Sequence, residues 1–338
     1  MRDQVVLTGI KPTGMLHLGN WVGAIRPTIE LSHKPNMKTY FFIPDYHALT
    51  NFKSPDKLCE YTYGAVATCI ALGLDPSQVV FYRQSDVPEV FELNWILACF
   101  SPKGLMDRAH AYKMKSNPNS DVNMGLYTYP ILMAADILLM HSNWVPVGND
   151  QQQHLEIARD LARRFNQQYR TDVFTLPEAL ISLAGVVIPG LDGRKMSKSY
   201  HNTIPIFAPP EHLRKLVFHI ATNSSGIHDQ KDIETSTIFQ LYQLFSTPKQ
   251  MEDLKRQYQN GIVWKDAKEA LFSLLDDQLR GPRAYYETLM DNPQKLERIL
   301  QEGASQAREV ASKTLERVRY TLGINQKRKT HGNGSSRP

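Results

Sequence analysis

Three groups of residues in this 338-residue chain have types and spacings suited to chemistry. The first loop, Thr8–Asn20, reads TGIKPTGMLHLGN and puts His17 and Asn20 three residues apart, on one face of a helix that starts there. A helix N-terminus attracts anions through its free N–H groups and dipole, and Gly19 between the two polar residues would let a flat base or a ribose approach the backbone. The loop has neither GxGxxG nor GxxxxGK[ST], so any phosphate bound here is held by another arrangement. Equally, Gly9 and Gly14 could merely make turns and His17 be a partly exposed helix residue. The second group is Lys195-Met196-Ser197-Lys198-Ser199, which follows a loop containing Gly190, Asp192 and Gly193. Two ammonium groups three residues apart on such a segment can close over a triphosphate and neutralise charge as its α-phosphate is attacked and pyrophosphate leaves. The bland alternative is a solvated lysine loop.

The third group centres on Asp136, an acid within the apolar run Ile131–Met140, where an unpaired charge would be expensive. A buried acceptor of that kind suits one N–H donor lying among apolar neighbours; pairing with a structural Arg or a backbone N–H is the alternative. Gly148, Asn149, Asp150 and Gln151 follow a short strand-like run, a place where a ribose and an ammonium group could be read, although Asp150 would serve equally as a helix N-cap.

These groups need a frame. Gln4–Gly9, Thr39–Pro44 and Val79–Gln84 read as buried strands, with a shorter one at Trp144–Val147. Leu18, Val22, Ile25 and Ile29 recur at helical spacing between the first two, and Pro55–Leu72 is helical between the next two. Strand alternating with helix predicts an α/β fold, a Rossmann-like parallel sheet with helices on both faces, whose ligands sit at the carboxyl ends of the strands. Leu155, Ala158, Leu161, Ala162 and Phe165 form a helix stripe whose outside should carry the pairs Glu156–Arg159 and Asp160–Arg164. After about residue 205 strand signals become scarce, and Glu211–His219, Ile233–Phe245, Lys249–Tyr258, Asp266–Met290 and Pro293–Leu322 predict a mostly α-helical second domain.

Composition narrows the class. Apolar residues at 42% and charged residues at 22% are those of a folded globular protein, and no run reaches the roughly 18 apolar residues of a spanning helix. A membrane role and a signal peptide are therefore not expected. Three cysteines, none in a CxxC, predict neither a disulfide framework nor a zinc site and fit a reducing cytoplasm. Of the formal charge of +5, the last thirteen residues supply four positive charges, through Lys327, Arg328, Lys329 and Arg337, so the body is nearly neutral. Nucleic acid would then be held by local patches rather than by bulk charge.

HLGN at 17–20 together with KMSKS at 195–199 resembles the two signatures of the class I aminoacyl-tRNA synthetases. Asn20, where the wider family has histidine, narrows the resemblance to the tyrosine/tryptophan branch. YTYPILMAADILLM at 127–140 and PVGNDQQQHLEIARDLARRFN at 146–166 resemble the tryptophanyl-tRNA synthetase versions, and the likeness runs from the first strand to about Gly323.

The resemblance implies a catalytic domain at 1–205 that includes the connecting insertion and the KMSKS loop, and a tRNA-binding helical domain at 206–325; the Lys-, Gly- and Ser-rich run at 326–338 is expected from its composition to be a flexible basic tail. It implies a ligase that activates L-tryptophan with ATP and passes it to tRNA(Trp), with Mg²⁺ carried by ATP and no dedicated protein metal site, working as a cytoplasmic homodimer. Catalysis would rest on His17, Asn20, Lys195 and Lys198. ATP would be contacted by Lys11, Pro12, Thr13, Gly19, Asn20, Gly148, Asn149, Asp150, Val187 and the run Lys195, Met196, Ser197, Lys198, Ser199. Asp136 would accept from the indole, Gln151 and Tyr129 would contact the amino group, and Leu7, His47, Met133, Val145 and Val147 would line the ring pocket. Lys11 replaces the usual glutamine and Leu7 the usual aromatic. Competing readings are a tyrosine-specific relative, a catalytically silent paralogue that binds RNA or a partner, and a small-molecule nucleotidyltransferase.

Overall fold

The computed structural model describes residues 4–50, 54–107, 123–148, 151–180, 187–226 and 229–324. Five strands, β1 (Gln4–Gly9), β2 (Met37–Ile43), β3 (Val79–Arg83), β4 (Trp144–Pro146) and β5 (Glu178–Leu180), form one parallel sheet in the order β3-β2-β1-β4-β5. The chain builds outward from β1 to β3 and then returns to the other side of β1 with β4. The strand order therefore reverses between β1 and β4, and a crevice opens at their carboxyl ends.

Residues alternate along the inner strands as the pleat requires. Phe41, Ile43, Val79 and Phe81 face one apolar layer; Tyr40, Phe42, Val80 and Tyr82 face the other. The first layer is closed by α4 (Pro55–Ala71) and by the later helices α9 (Pro210–Phe218), α10 (Thr237–Phe245), α11 (Pro248–Gln259) and α12 (Trp264–Met290). The second is closed by α5 (Glu89–Phe100), α7 (Met124–Leu139) and α8 (Gln152–Tyr169). Short helices α3 (Asp45–Ala48) and α6 (Lys103–Asp107) complete this half. One cluster of buried side chains runs without a break from Ile10 to Leu300, so packing crosses residue 205 even where composition changes.

The long C-terminal helix α13 (Pro293–Leu322) passes from one layer to the other around the edge strand β3. Its Leu296 and Leu300 belong to the first apolar cluster, and Ala304, Ala307, Ala311, Leu315 and Val318 to the second. Gly303 marks the crossing: a Cβ there would stand 1.9 Å from the carbonyl oxygen of Phe81, so only glycine lets the helix lie on the strand backbone. The contact also covers a sheet edge that would otherwise be open.

Several expectations need correction. The helical stripe after the first loop is interrupted: α1 (Leu18–Asn20) leads into a π-helical turn at Trp21–Ile25 before α2 (Arg26–Ser32). The helix expected from Ile233 begins at Thr237, because Ser236 accepts from the Phe239 N–H and caps it there. On α8, Arg159 is drawn to Glu178 of β5 (3.8 Å) and to the Pro177 carbonyl, and Asp160 pairs with Arg163 (3.0 Å) rather than with Arg164. The strands of the first half stand within two residues of their expected bounds. Among the described residues no helix is long and apolar enough to cross a membrane. The tail from 326 lies outside the described residues.

Candidate active site

A cavity of about 230 Å³ lies at the strand-order reversal, walled by the ends of β1 and β4 and by α7. Leu7, Val145 and Val147 supply its apolar strand side, Met133 and Ile137 its helix side, and His47, Tyr129, Asp136 and Gln151 its polar groups. The eight residues singled out for an amino acid with a large ring thus all line one cavity. Phe42, Pro44 and Ile137 also line it and were not expected.

Asp136 is 4% exposed on a helix that tolerates it because both of its carboxylate oxygens are hydrogen-bonded. His47 Nε2 lies 2.8 Å from Oδ2, and Gln84 Nε2 lies 2.8 and 2.9 Å from Oδ1 and Oδ2. Among the described residues neither an arginine nor a backbone N–H serves as its partner; side chains that follow β2 and β3 do. A carboxylate offers about four lone-pair sites, so a further N–H can still be accepted. Sequence reasoning passed over Gln84, whose only signal was its place at the carboxyl end of a strand. It also passed over His154, which closes a polar triangle on the opposite wall: Tyr129 Oη lies 3.0 Å from Gln151 Oε1 and 2.7 Å from His154 Nδ1, which is itself 3.0 Å from Gln151 Oε1.

The first loop leads away from this cavity. Gly9 and Lys11 are on its wall, and the Lys11 ammonium stands 5.1 Å from the centroid of the Tyr129 ring. Pro12 is buried and Thr13 donates its N–H to the Lys11 carbonyl (3.0 Å). Gly14 takes φ +128°, a conformation that side chains resist, and its carbonyl accepts from Lys198 Nζ at 2.9 Å. His17 precedes α1 and its N–H donates to Asn20 Oδ1 at 3.0 Å, so the two polar residues of the first signature hold each other. A Cβ on Gly19 would stand 3.0 Å from the His17 ring and 3.6 Å from Met196 Cβ, so glycine keeps this approach open.

The second signature rides on a hairpin closed by Gly190 N–H donating to the Arg194 carbonyl and Met196 N–H donating to the Ile188 carbonyl, each at 2.7 Å. Buried Asn202, also unforeseen, clamps it: its amide donates to Asp192 Oδ1 (2.7 Å) and the Lys195 carbonyl (3.1 Å), and its oxygen accepts from Ser197 N–H (2.8 Å). Met196 is buried beneath, Lys195 and Ser199 are exposed, and Ser197 and Lys198 are half-buried. Val187 is exposed at the start of the hairpin, away from the cavity wall. Gly148 is on that wall; Asn149 and Asp150 lie outside the described residues.

Burial sets the charges. Desolvation lowers Lys198 to a pKa of about 8. Burial, helped by the Lys198 charge, lowers His17 to about 4, so at pH 7 its imidazole is neutral. Among the described residues no group of three or more His, Cys, Asp or Glu could hold a metal ion.

Comparison with known proteins agrees with this geometry. Residues 1–280 match the family of class I tRNA synthetases for tryptophan and tyrosine. The chain is 46% identical to the tryptophan–tRNA ligase of Pseudomonas putida over 94% of its own length and 73% of that protein. The corresponding ligase of Xanthomonas campestris pv. campestris is 48% identical, over 94% of this chain and 76% of that one. Among solved structures, the tryptophanyl-tRNA synthetase of Campylobacter jejuni complexed with ADP and tryptophan superposes with a TM-score of 0.88 at 41% identity, covering 95% of this chain and all of that one. With both signatures in contact across a Rossmann-like crevice and a family match over most of its length, the chain belongs to the class I tRNA synthetases of the tryptophan and tyrosine branch.

Proposed function

We propose that this chain activates L-tryptophan with ATP and transfers it to tRNA(Trp). The observation that carries the reading is Asp136, an acceptor held in an apolar cavity by His47 and Gln84, where an indole N–H would complete its coordination. Phenylalanine, which has no donor on its ring, would leave that acceptor without its partner, which a buried polar group penalises.

In the first step a tryptophan carboxylate oxygen attacks the α-phosphorus of ATP, and the bond to the β-phosphate oxygen breaks to release pyrophosphate. Mg²⁺ accompanies the phosphates as part of the substrate. Lys195, Lys198 and Lys11 would offset the negative charge gathered there, His17 and Asn20 would orient the nucleotide, and Gln151 and Tyr129 would accept from the amino group. In the second step a hydroxyl of the terminal ribose of tRNA attacks the carbonyl carbon and AMP leaves. No residue need become covalently attached. The helices from residue 206 are proposed to hold tRNA, and a homodimer would cover the exposed rings of Trp95 and Phe91 on α5 and Tyr46 on α3.

Charging of total tRNA with labelled amino acids tests the reading. Label from tryptophan alone should enter the tRNA fraction; label from tyrosine instead would contradict it.

A further inference from the structure

Gln84 opens the turn Gln84–Asp86 after β3, is 1% exposed and does not itself line the cavity. Its amide nitrogen straddles both oxygens of Asp136, at 2.8 and 2.9 Å, whereas its own carbonyl oxygen is buried with no partner among the described residues. Leaving a buried acceptor unpaired costs stability, and an amide present only to fill space would gain by pairing both ends. The turn is also anchored: Ser85 N–H donates to Asp45 Oδ1 at 3.0 Å, and Asp45 opens α3, the helix that carries His47. One device therefore aims two donors at one carboxylate from two neighbouring strand ends.

We infer that Gln84 is a positioning residue for side-chain specificity: it fixes the plane of the Asp136 carboxylate and keeps it an acceptor, so that the site demands an N–H donor on the ring of the amino acid. The terminal torsion of an aspartate is broad, and donors on both oxygens remove that freedom. An amide N–H can only donate, so the two oxygens it straddles are presented to the cavity as acceptors. The inference rests on the tryptophan reading above. Titratable groups facing this acid are His47 from α3 and Tyr82 from β3, with Tyr40 of β2 beyond Tyr82 and Tyr129 packed on the His47 ring.

The test is pyrophosphate exchange with tryptophan and with 3-(benzothiophen-3-yl)alanine, in which sulfur replaces the ring N–H. Gln84→Met should reduce the preference for tryptophan, as a ratio of kcat/KM values, by about tenfold, the scale of one hydrogen bond to a charged group. KM for ATP should move less than about twofold, because uniform damage to the fold would move both substrates. In Gln84→Glu the two acids share one proton at low pH, imitating the amide's donation, and repel once both ionise. Its KM for tryptophan, taken relative to the parent's at the same pH, should therefore climb between about pH 5 and pH 8. A parental preference ratio in both variants, with no pH-dependent rise in KM relative to the parent's, would overturn the inference alone. Absence of tryptophan-dependent exchange in the parent would overturn the functional reading and this inference with it.

Discussion

Lys198 Nζ donates to the carbonyl oxygen of Gly14 at 2.9 Å, so a lysine of the second signature is seated on the loop of the first. The contact brings together residues 184 positions apart and buries the ammonium enough to lower it to about 8. A lysine so placed is charged below that pH and loses its charge as pH rises through it, well before an ordinary lysine would. Since kcat/KM reports the free enzyme, kcat/KM for ATP should fall as pH rises through about 8. Lys198→Arg, whose guanidinium stays charged, should be slower overall yet show a flatter profile. A parental profile that holds level to about pH 9.5 would rule out the shifted lysine as the group that matters.

Lys11 lies on the cavity wall with its ammonium 5.1 Å from the centroid of the Tyr129 ring. Lys11→Gln should slow adenylate formation in rapid-mixing experiments and raise KM for ATP or for tryptophan, by roughly three- to tenfold for one partly screened charge. Rates within about twofold of the parent at both low and saturating ATP would place this ammonium outside the reaction.

A stability prediction comes from the helix crossing. Gly303→Ala puts a methyl group 1.9 Å from the Phe81 carbonyl oxygen, which neither helix nor strand can accept without moving. The variant should lose about 1–3 kcal/mol or more in urea denaturation, the usual cost of overpacking. Ala304→Gly, one residue on, removes a methyl group and costs a different amount for a different reason, so equal midpoints for Gly303→Ala and parent would show that the contact is not tight.

The two signatures and the strand–helix alternation were readable because each is local: a motif within a few residues, or a period of two or 3.6. The cavity residues were readable through resemblance, and Asp136 also by its chemistry, as an acid where none should be. What supports them was not. Gln84 and Asn202 are single amides at the ends of elements, with no period and no neighbouring motif, and their roles depend on chain segments 52 and five to ten residues away. The π-helical turn at Trp21–Ile25 hides beneath apolar spacing that an ordinary helix would share. Strand β5 has three residues, too short for alternation to register, and takes its place by pairing with β4. Ion pairs on α8 went elsewhere because Glu178 of that short strand competes for Arg159.

The most direct measurement is amino-acid-dependent exchange of pyrophosphate into ATP by the purified protein, with tryptophan, tyrosine and phenylalanine in parallel, repeated with Asp136→Ala. The account predicts exchange with tryptophan and little with the other two. It predicts a fall in kcat/KM for tryptophan of at least about tenfold in the variant, since losing a hydrogen bond to a buried charge costs roughly 1.5–3 kcal/mol. Exchange driven by tyrosine, or tryptophan kinetics untouched by Asp136→Ala, would contradict it.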